Sequence, residues 1–313
     1  MIKPNTDKNL NIAILGAGRL GTTLGFAIAG KNHENIKIKS IASPSPGSIK
    51  RAKEIFKDKA KNILFTSNNL IAAEKANTVF ICTPDDLISR ICEDLYSENP
   101  GCGKTIIHFS GSKPLDVLKK AKEEGDYTAS IHPLKSFASI PEAIKTLKGT
   151  EYGITYTDKE GERAAKKIVK LLEGNSIFVK DEAKPIYHAA ACIASNYLVT
   201  LINHAVYINE KIGIEPQAST RGLLNLVEGT VENIKKIGTK KSLTGPIARG
   251  DTGTIEDHMK MFDSVLDKKD MEIYKMMGQK TADLARENGW IDNKTYKKFY
   301  ELLEERKNSR KEK

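Results

Sequence analysis

Along the first half of the chain, apolar residues come in short, nearly unbroken runs separated by polar, helix-like stretches. Ile12–Leu15, Ile36–Ala42, Asn62–Phe65, Asn77–Thr83, Lys104–Phe109 and Tyr127–Ile131 read as successive strands. Runs this short and continuous suit strands buried on both faces, as in a parallel sheet. Between them, segments such as Thr22–Ala29 and Lys50–Lys57 read as helices. One more strand–helix–strand unit follows, from Glu151–Tyr156 through Lys159–Glu173 to Ser176–Val179. Strands alternating with helices predict an α/β fold with a Rossmann-type, mostly parallel sheet. Beyond about Asp181 the pattern changes, and helical periodicity dominates to the end. The expected division is therefore an α/β domain over residues 1–181 and an all-helical C-terminal domain over residues 182–313.

The first strand stops at Gly16-Ala17-Gly18-Arg19-Leu20-Gly21, a G-x-G-x-x-G that opens the first helix. Gly16 permits the tight turn, Gly18 lets a pyrophosphate approach the backbone, and Gly21 lets the helix pack close to the strand. The helix N-terminus offers free N–H groups and a positive dipole end. A purely structural glycine turn is the alternative. The position of the motif, in the first strand–turn–helix of a repeating pattern, favours the dinucleotide.

The end of the second strand selects between the two nicotinamide cofactors. An NAD-binding fold carries an acidic residue there for the ribose hydroxyls. This chain has Ser43, Pro44 and Ser45, then Ser48, Lys50 and Arg51. Hydroxyls and cations suit a 2′-phosphate, so NADP is the expected cofactor, with Ser43, Ser45 and Arg51 as its contacts; a solvated turn is the bland reading. Ligands of open α/β sheets bind beyond the carboxyl ends of strands. That places Thr83, Pro84 and Asp85, Ser110 with Gly111 and Ser112, and His132 at the cofactor edge. Asp85 and Asp86 read mainly as caps of the next helix. His132 either donates a hydrogen bond to a ligand or fixes the turn before Pro133.

In the second half, Lys184–Asn203 reads as one long helix of small and apolar residues. At helical spacing Lys184, His188, Cys192, Ser195 and Asn196 share one side. Polar groups on such a helix either bond to neighbouring helices or face a cleft, and the stripe favours a cleft. A further glycine-rich stretch, SLTGPIARGD, carries Arg249, whose fork suits a carboxylate; an Arg249–Asp251 ion pair is the alternative. Thr254 reads as the N-cap of the helix bearing His258.

Composition changes this picture only at the margins. The 313 residues suffice for two domains, and the net charge of +10 suits anionic ligands. The basic residues are scattered and accompany no nucleic-acid motif, apart from a solvated-looking tail, Arg306–Lys313. Cys82, Cys92, Cys102 and Cys192 show no paired spacing, which points to a reducing, cytoplasmic setting without disulfides or a metal site. The first residues lack a signal-peptide pattern, and no unbroken apolar run reaches the roughly 18 residues of a membrane span.

Taken together, GAGRLG, ICTPDD, HFSGS, SIHPLKSF, KPIYHAAACIASNYL and LTGPIARGD resemble the proteins that join a Rossmann-like domain to the domain of unknown function DUF2520. The resemblance spans residues 12 to about 258. It implies an NADP-type oxidoreductase of the superfamily that holds 6-phosphogluconate dehydrogenase, pyrroline-carboxylate reductase and ketopantoate reductase, with pairing of two copies through the helical domain. Some members look like ketopantoate reductases, which makes a small 2-oxo acid, and ketopantoate first, the expected substrate. Hydroxyacid dehydrogenases of this superfamily often use a Lys-x-x-x-Asn pair. Here Lys184 is followed by His188, so the asparagine role falls to His188 or Asn196. The expected catalytic set is Lys184, His188, Asn196 and Arg249. Imine reduction is the enzymatic alternative, and NADP sensing without turnover the non-enzymatic one.

Overall fold

A computed structural model describes residues 9–31, 34–97, 101 and 103–304. Cys102, the first eight residues and the Arg306–Lys313 tail lie outside them. The chain divides into two compact units, Met1–Ser195 and Asn196–Lys313.

The first unit is built on eight strands: β1 (Leu10–Leu15), β2 (Ile36–Ala42), β3 (Leu64–Thr66), β4 (Thr78–Ile81), β5 (Thr105–His108), β6 (Tyr127–Pro133), β7 (Glu151–Tyr156) and β8 (Asn175–Phe178). They form one sheet in the order β3-β2-β1-β4-β5-β6-β7-β8. Every neighbouring pair is parallel except β6 and β7. Successive side chains of a strand point to opposite faces. Ile12, Ile14 and Phe80 accordingly join one core with Leu24 and Phe56, while Ala13, Leu15, Val79 and Ile81 join another with Ile88. β1 and β4 are apolar on both faces because both faces are covered.

Three local features depart from the pattern reading. β3 starts later than expected because Lys57–Asn62 close a 3-10 helix first. The long helix is interrupted: Lys184–Cys192 is followed by a π turn at Ile193–Tyr197 and then by Leu198–Lys211. The units also part after Ser195, whereas the sequence pattern changes near Asp181. Lys184 explains the offset, since its hydrogen bonds to Ser110 and Ser130 tie the first helix of the second half to the sheet.

By length and composition the run Asp181–Lys211, with mean hydropathy 1.3, is long and apolar enough to cross a membrane, which a search for unbroken apolar runs misses. Its first turn is anchored on the sheet through Lys184.

Among the described residues the second unit consists of the helices Leu198–Lys211, Pro216–Lys241, Thr252–Val265, Lys268–Glu287 and Asn293–Leu303, with a 3-10 turn at Ile247–Arg249. Ile247, Ile255, Ala282, Ala285, Ile291 and Phe299 make its core. Asp251, not Thr254, caps the Thr252–Val265 helix, accepting the Thr254 N–H at 3.1 Å and its hydroxyl at 2.7 Å.

Candidate active site

β1 leads into the glycine turn. Gly16 has φ +112°, and a Cβ there would lie 2.6 Å from the Cys82 carbonyl oxygen. A Cβ on Gly21 would overlap the Gly16 carbonyl. On Gly18 it would meet nothing within 4 Å, so the space before the turn is open. Gly18 also begins the Arg19–Ala29 helix, which has no side-chain cap and no acidic residue in its first turn. Its N–H groups are thus available to a phosphate. Arg19 is exposed beside them, and Leu20 packs against the sheet core.

At the end of β2 a pocket of about 460 Å³ opens, lined by Ser43, Pro44, Lys50, Lys53, Glu54 and Phe65, among others. Ser43 Oγ accepts the Ser45 N–H at 3.3 Å, and Ser45 Oγ accepts that of Ser48 at 3.3 Å, which starts the Pro46–Phe56 helix. Lys50 and Lys53 are one turn apart on that helix, and Lys53 Nζ stands 5.4 Å from the centre of the Phe65 ring. Arg51 points elsewhere, donating to Ser48 Oγ at 3.2 Å. The cations at the pocket are therefore Lys50 and Lys53. The helical spacing from Lys50 is the signal that finds Lys53. It also finds Glu54, so a carboxylate does stand at this pocket, against the reading that none is near.

Further along the same edge, β4, β5 and β6 end in a connected polar cluster. Ser110 Oγ donates to Asp85 Oδ2 at 2.6 Å, and Ser112 Oγ donates to the same oxygen at 3.1 Å. Ser110 Oγ in turn accepts the N–H groups of Ser112 at 3.2 Å and Lys113 at 3.0 Å. With its proton committed to Asp85, the Ser110 hydroxyl acts as a bracket for the turn. Asp85 and Asp86 make no side-chain cap to the helix that follows, which corrects the capping reading. Thr83 Oγ1 is buried without a hydrogen-bond partner among the described residues.

Lys184 reaches this cluster from its helix. It is 2% exposed, and its Nζ donates to Ser130 Oγ at 2.6 Å and to the Ser110 carbonyl at 3.0 Å. Two of its three donors are thus engaged with neutral oxygens. Burial lowers its pKa to about 8, although Asp181 and Asp85 oppose the shift. Burial, aided by His188 and Lys184, also lowers that of His132 to about 4, so His132 is a neutral imidazole. Its Nδ1 is buried and unpartnered among the described residues. The His132 and His188 rings lie 5.7 Å apart, and Gly111 packs beneath both: a Cβ there would come within 2.6 Å of His188 and 2.8 Å of His132. His108, fully buried one strand away, accepts the Ser110 N–H at Nδ1 at 3.2 Å, which leaves its proton on Nε2. Burial, with Lys184 and His132 nearby, pushes its pKa well down.

The structure thus brings Ser110 and His132, expected at the cofactor, together with Lys184 and His188, expected in catalysis. Asp85 and Gly111, from the same strand ends, join them, and the structure adds His108 and Ser130, of which Ser130 was legible two residues before His132 on the same strand face. The helical row Lys184–His188–Cys192 is real, with Cys192 Sγ 3.7 Å from His188 Nδ1. Ser195 and Asn196 lie within the π turn that follows. Asn196 and Arg249 belong to the second unit. Both are exposed, and Arg249 lowers the pKa of Asp251 only weakly, behind that residue's bonds to Thr254.

A glycine turn after the first strand, a cation-lined pocket at the second and a polar cluster on one edge of a mostly parallel sheet define a Rossmann-like α/β protein. The sequence models identify its two parts: residues 2–133 match the Rossmann-like domain and residues 150–281 the domain of unknown function DUF2520. No curated protein sequence matches it. Among solved structures, protein TM1727 of Thermotoga maritima is 24% identical, with a TM-score of 0.68 over 88% of this chain and 99% of the other. Plasmodium falciparum pyrroline carboxylate reductase with NADP bound is 14% identical, with a TM-score of 0.55 over 95% and 99%. The reductive aminase of Aspergillus terreus in complex with NADPH is 14% identical, with a TM-score of 0.55 over 95% and 93%. Likeness at this level shows the fold.

Proposed function

We propose that the protein is an NADP(H)-dependent oxidoreductase that reduces a small carbonyl or imine compound. The observation that carries this reading is Lys184, a buried ammonium with a pKa near 8 at the carboxyl ends of β5 and β6. The residues present fit the cofactor. The open face of Gly18 and the uncapped helix start would receive the pyrophosphate, and the pocket with Lys50 and Lys53 the phosphorylated adenosine end. When bound, the reduced nicotinamide supplies a hydride to the substrate carbon. Lys184 supplies the proton to the oxygen or nitrogen that gains electron density, a role suited to a donor whose pKa lies near the working pH. His132, held neutral, keeps an unpartnered nitrogen for a further hydrogen bond.

Small 2-oxo acids head the candidate substrates, and conversion of ketopantoate to pantoate is the first reaction to assay. Imine reduction is the second reading, supported by the fold shared with pyrroline carboxylate reductase and the reductive aminase. The test is NADPH oxidation by the purified protein with ketopantoate, other 2-oxo acids and pyrroline carboxylate in parallel. Turnover confined to one class identifies it. Tight NADPH binding without turnover of any class supports the sensing role instead. The same proposal includes a homodimer formed through the helical region.

A further inference from the structure

Asp85 is an exposed carboxylate at the end of β4 whose hydrogen bonds all run into the turn after β5. Helix capping does not explain it. The turn it holds presents the Ser110 carbonyl, and that carbonyl receives both the Lys184 ammonium at 3.0 Å and the Ser130 hydroxyl at 3.4 Å. The bracket holds this peptide through the Ser110 side chain, whose hydroxyl gives its proton to Asp85 and in that orientation accepts two N–H bonds. We propose that Asp85 is a positioning residue: through the Ser110 hydroxyl it sets the carbonyl that anchors Lys184, and so places the proton donor without touching the substrate.

The charges that face Lys184 agree. Asp181, beside the first turn of the same helix, and Asp85, from β4, are the acidic groups that favour its ammonium form. His108 from β5 and His132 from β6 stand against it, both held neutral by burial and by the lysine itself. His188 lies one turn along on the same helix. Asp181 is already engaged by the Leu115 N–H at 2.8 Å, which leaves Asp85 as the acid linked to the lysine through the turn.

The proposal rests on Lys184 being the proton donor, so its test reads the lysine directly. The Lys184 side-chain carbon resonance is followed against pH in the wild type, in Asp85→Ala, in Ser110→Ala and in the double variant. Asp85→Ala and Ser110→Ala should each move the Lys184 midpoint down by about half a pH unit or more, as expected when a charge partner or a fixed acceptor is lost. Because both break one chain, the double variant should move it no further than the larger single change. Ser110→Ala deletes a single atom and serves if Asp85→Ala does not fold. Single-variant midpoints unchanged from the wild type, or shifts that simply add, overturn the proposal. If the wild type reduces a carbonyl compound, both variants should lose turnover about tenfold while NADPH affinity stays within twofold. If it reduces nothing, the function reading fails, but the titration still decides the role of Asp85.

Discussion

Lys184 has no carboxylate in direct contact; its ammonium is held by a hydroxyl and a carbonyl in a site where burial works against its charge. A donor of this kind is active in its protonated form, which declines as pH rises through about 8. Reductive turnover should therefore fall on the alkaline side with a midpoint near that value, and Lys184→Met should lower kcat by roughly a hundredfold while the alkaline limb disappears. Steady-state kinetics across pH, with NADPH binding measured in parallel, checks this; a limb that survives in the variant assigns the proton elsewhere, and His132 and His188 are next. Gly111 shows why residue identity matters just as much on the other side of the site. It lies under both imidazoles, so Gly111→Ala should displace His132 and His188 and impair turnover even though alanine adds one carbon.

Among the elements, the helix Pro46–Phe56 carries the cofactor prediction. It turns Lys50 and Lys53 toward the pocket at the end of β2 and leaves Arg51 on Ser48. Charge-assisted bonds of this type are worth about 1.5–3 kcal/mol. Lys50→Ala and Lys53→Ala should each weaken NADPH by about tenfold or more and leave NADH almost unchanged, with Arg51→Ala nearly silent; calorimetry with both cofactors measures it. Equal affinity of the wild-type protein for the two cofactors would remove the basis for NADP. The π turn at Ile193–Tyr197 is the second decisive element. It follows directly on the helix of Lys184, His188 and Cys192, and regular 3.6-residue spacing has no means of announcing an extra residue.

For the molecule as a whole, the buried imidazoles couple stability to pH. A histidine whose folded pKa is depressed stabilises the fold above its ordinary value, and that contribution is lost as pH falls toward the lowered value. For His132 the window runs from 6.5 down to about 4, a loss of about 3 kcal/mol by pH 4, with His108 acting in the same direction. Urea unfolding at pH 7 and about pH 4.5 should show this loss, and His132→Gln should recover roughly 2 kcal/mol of the difference. The second unit raises another whole-molecule question. Its Pro216–Lys241 helix buries only Ser219, and Leu226 and Ile237 are 67% and 54% exposed, which is much apolar surface for one helix. A homodimer would cover it, and light scattering at micromolar concentration should then give twice the chain mass. A monomer would contradict the proposed pairing.

The sequence by itself determined the α/β order, the glycine turn and the strand ends, because each is a local matter. Short apolar runs alternating with helical stretches are the pattern of strands covered on both faces, and Gly16-x-Gly18-x-x-Gly21 is a compact motif where the first of them ends, although the contacts that require glycine at Gly16 and Gly21 include Cys82, far along the chain. It likewise placed Ser110, His132 and Lys184 at plausible positions. What it left open was which of these meet. Asp85 looks like a helix cap in sequence and becomes a bracket only because β4 and β5 are neighbours in the sheet. Ser130 and His108 gain their roles only when β5 and β6 pair in register, His108 opposite Ser130. Lys53 and Arg51 differ by which side of one helix faces Phe65, a side chain on another strand. Sequence spacing carries periodicity, but these choices depend on contacts between residues far apart in the chain, and only the tertiary structure supplies them.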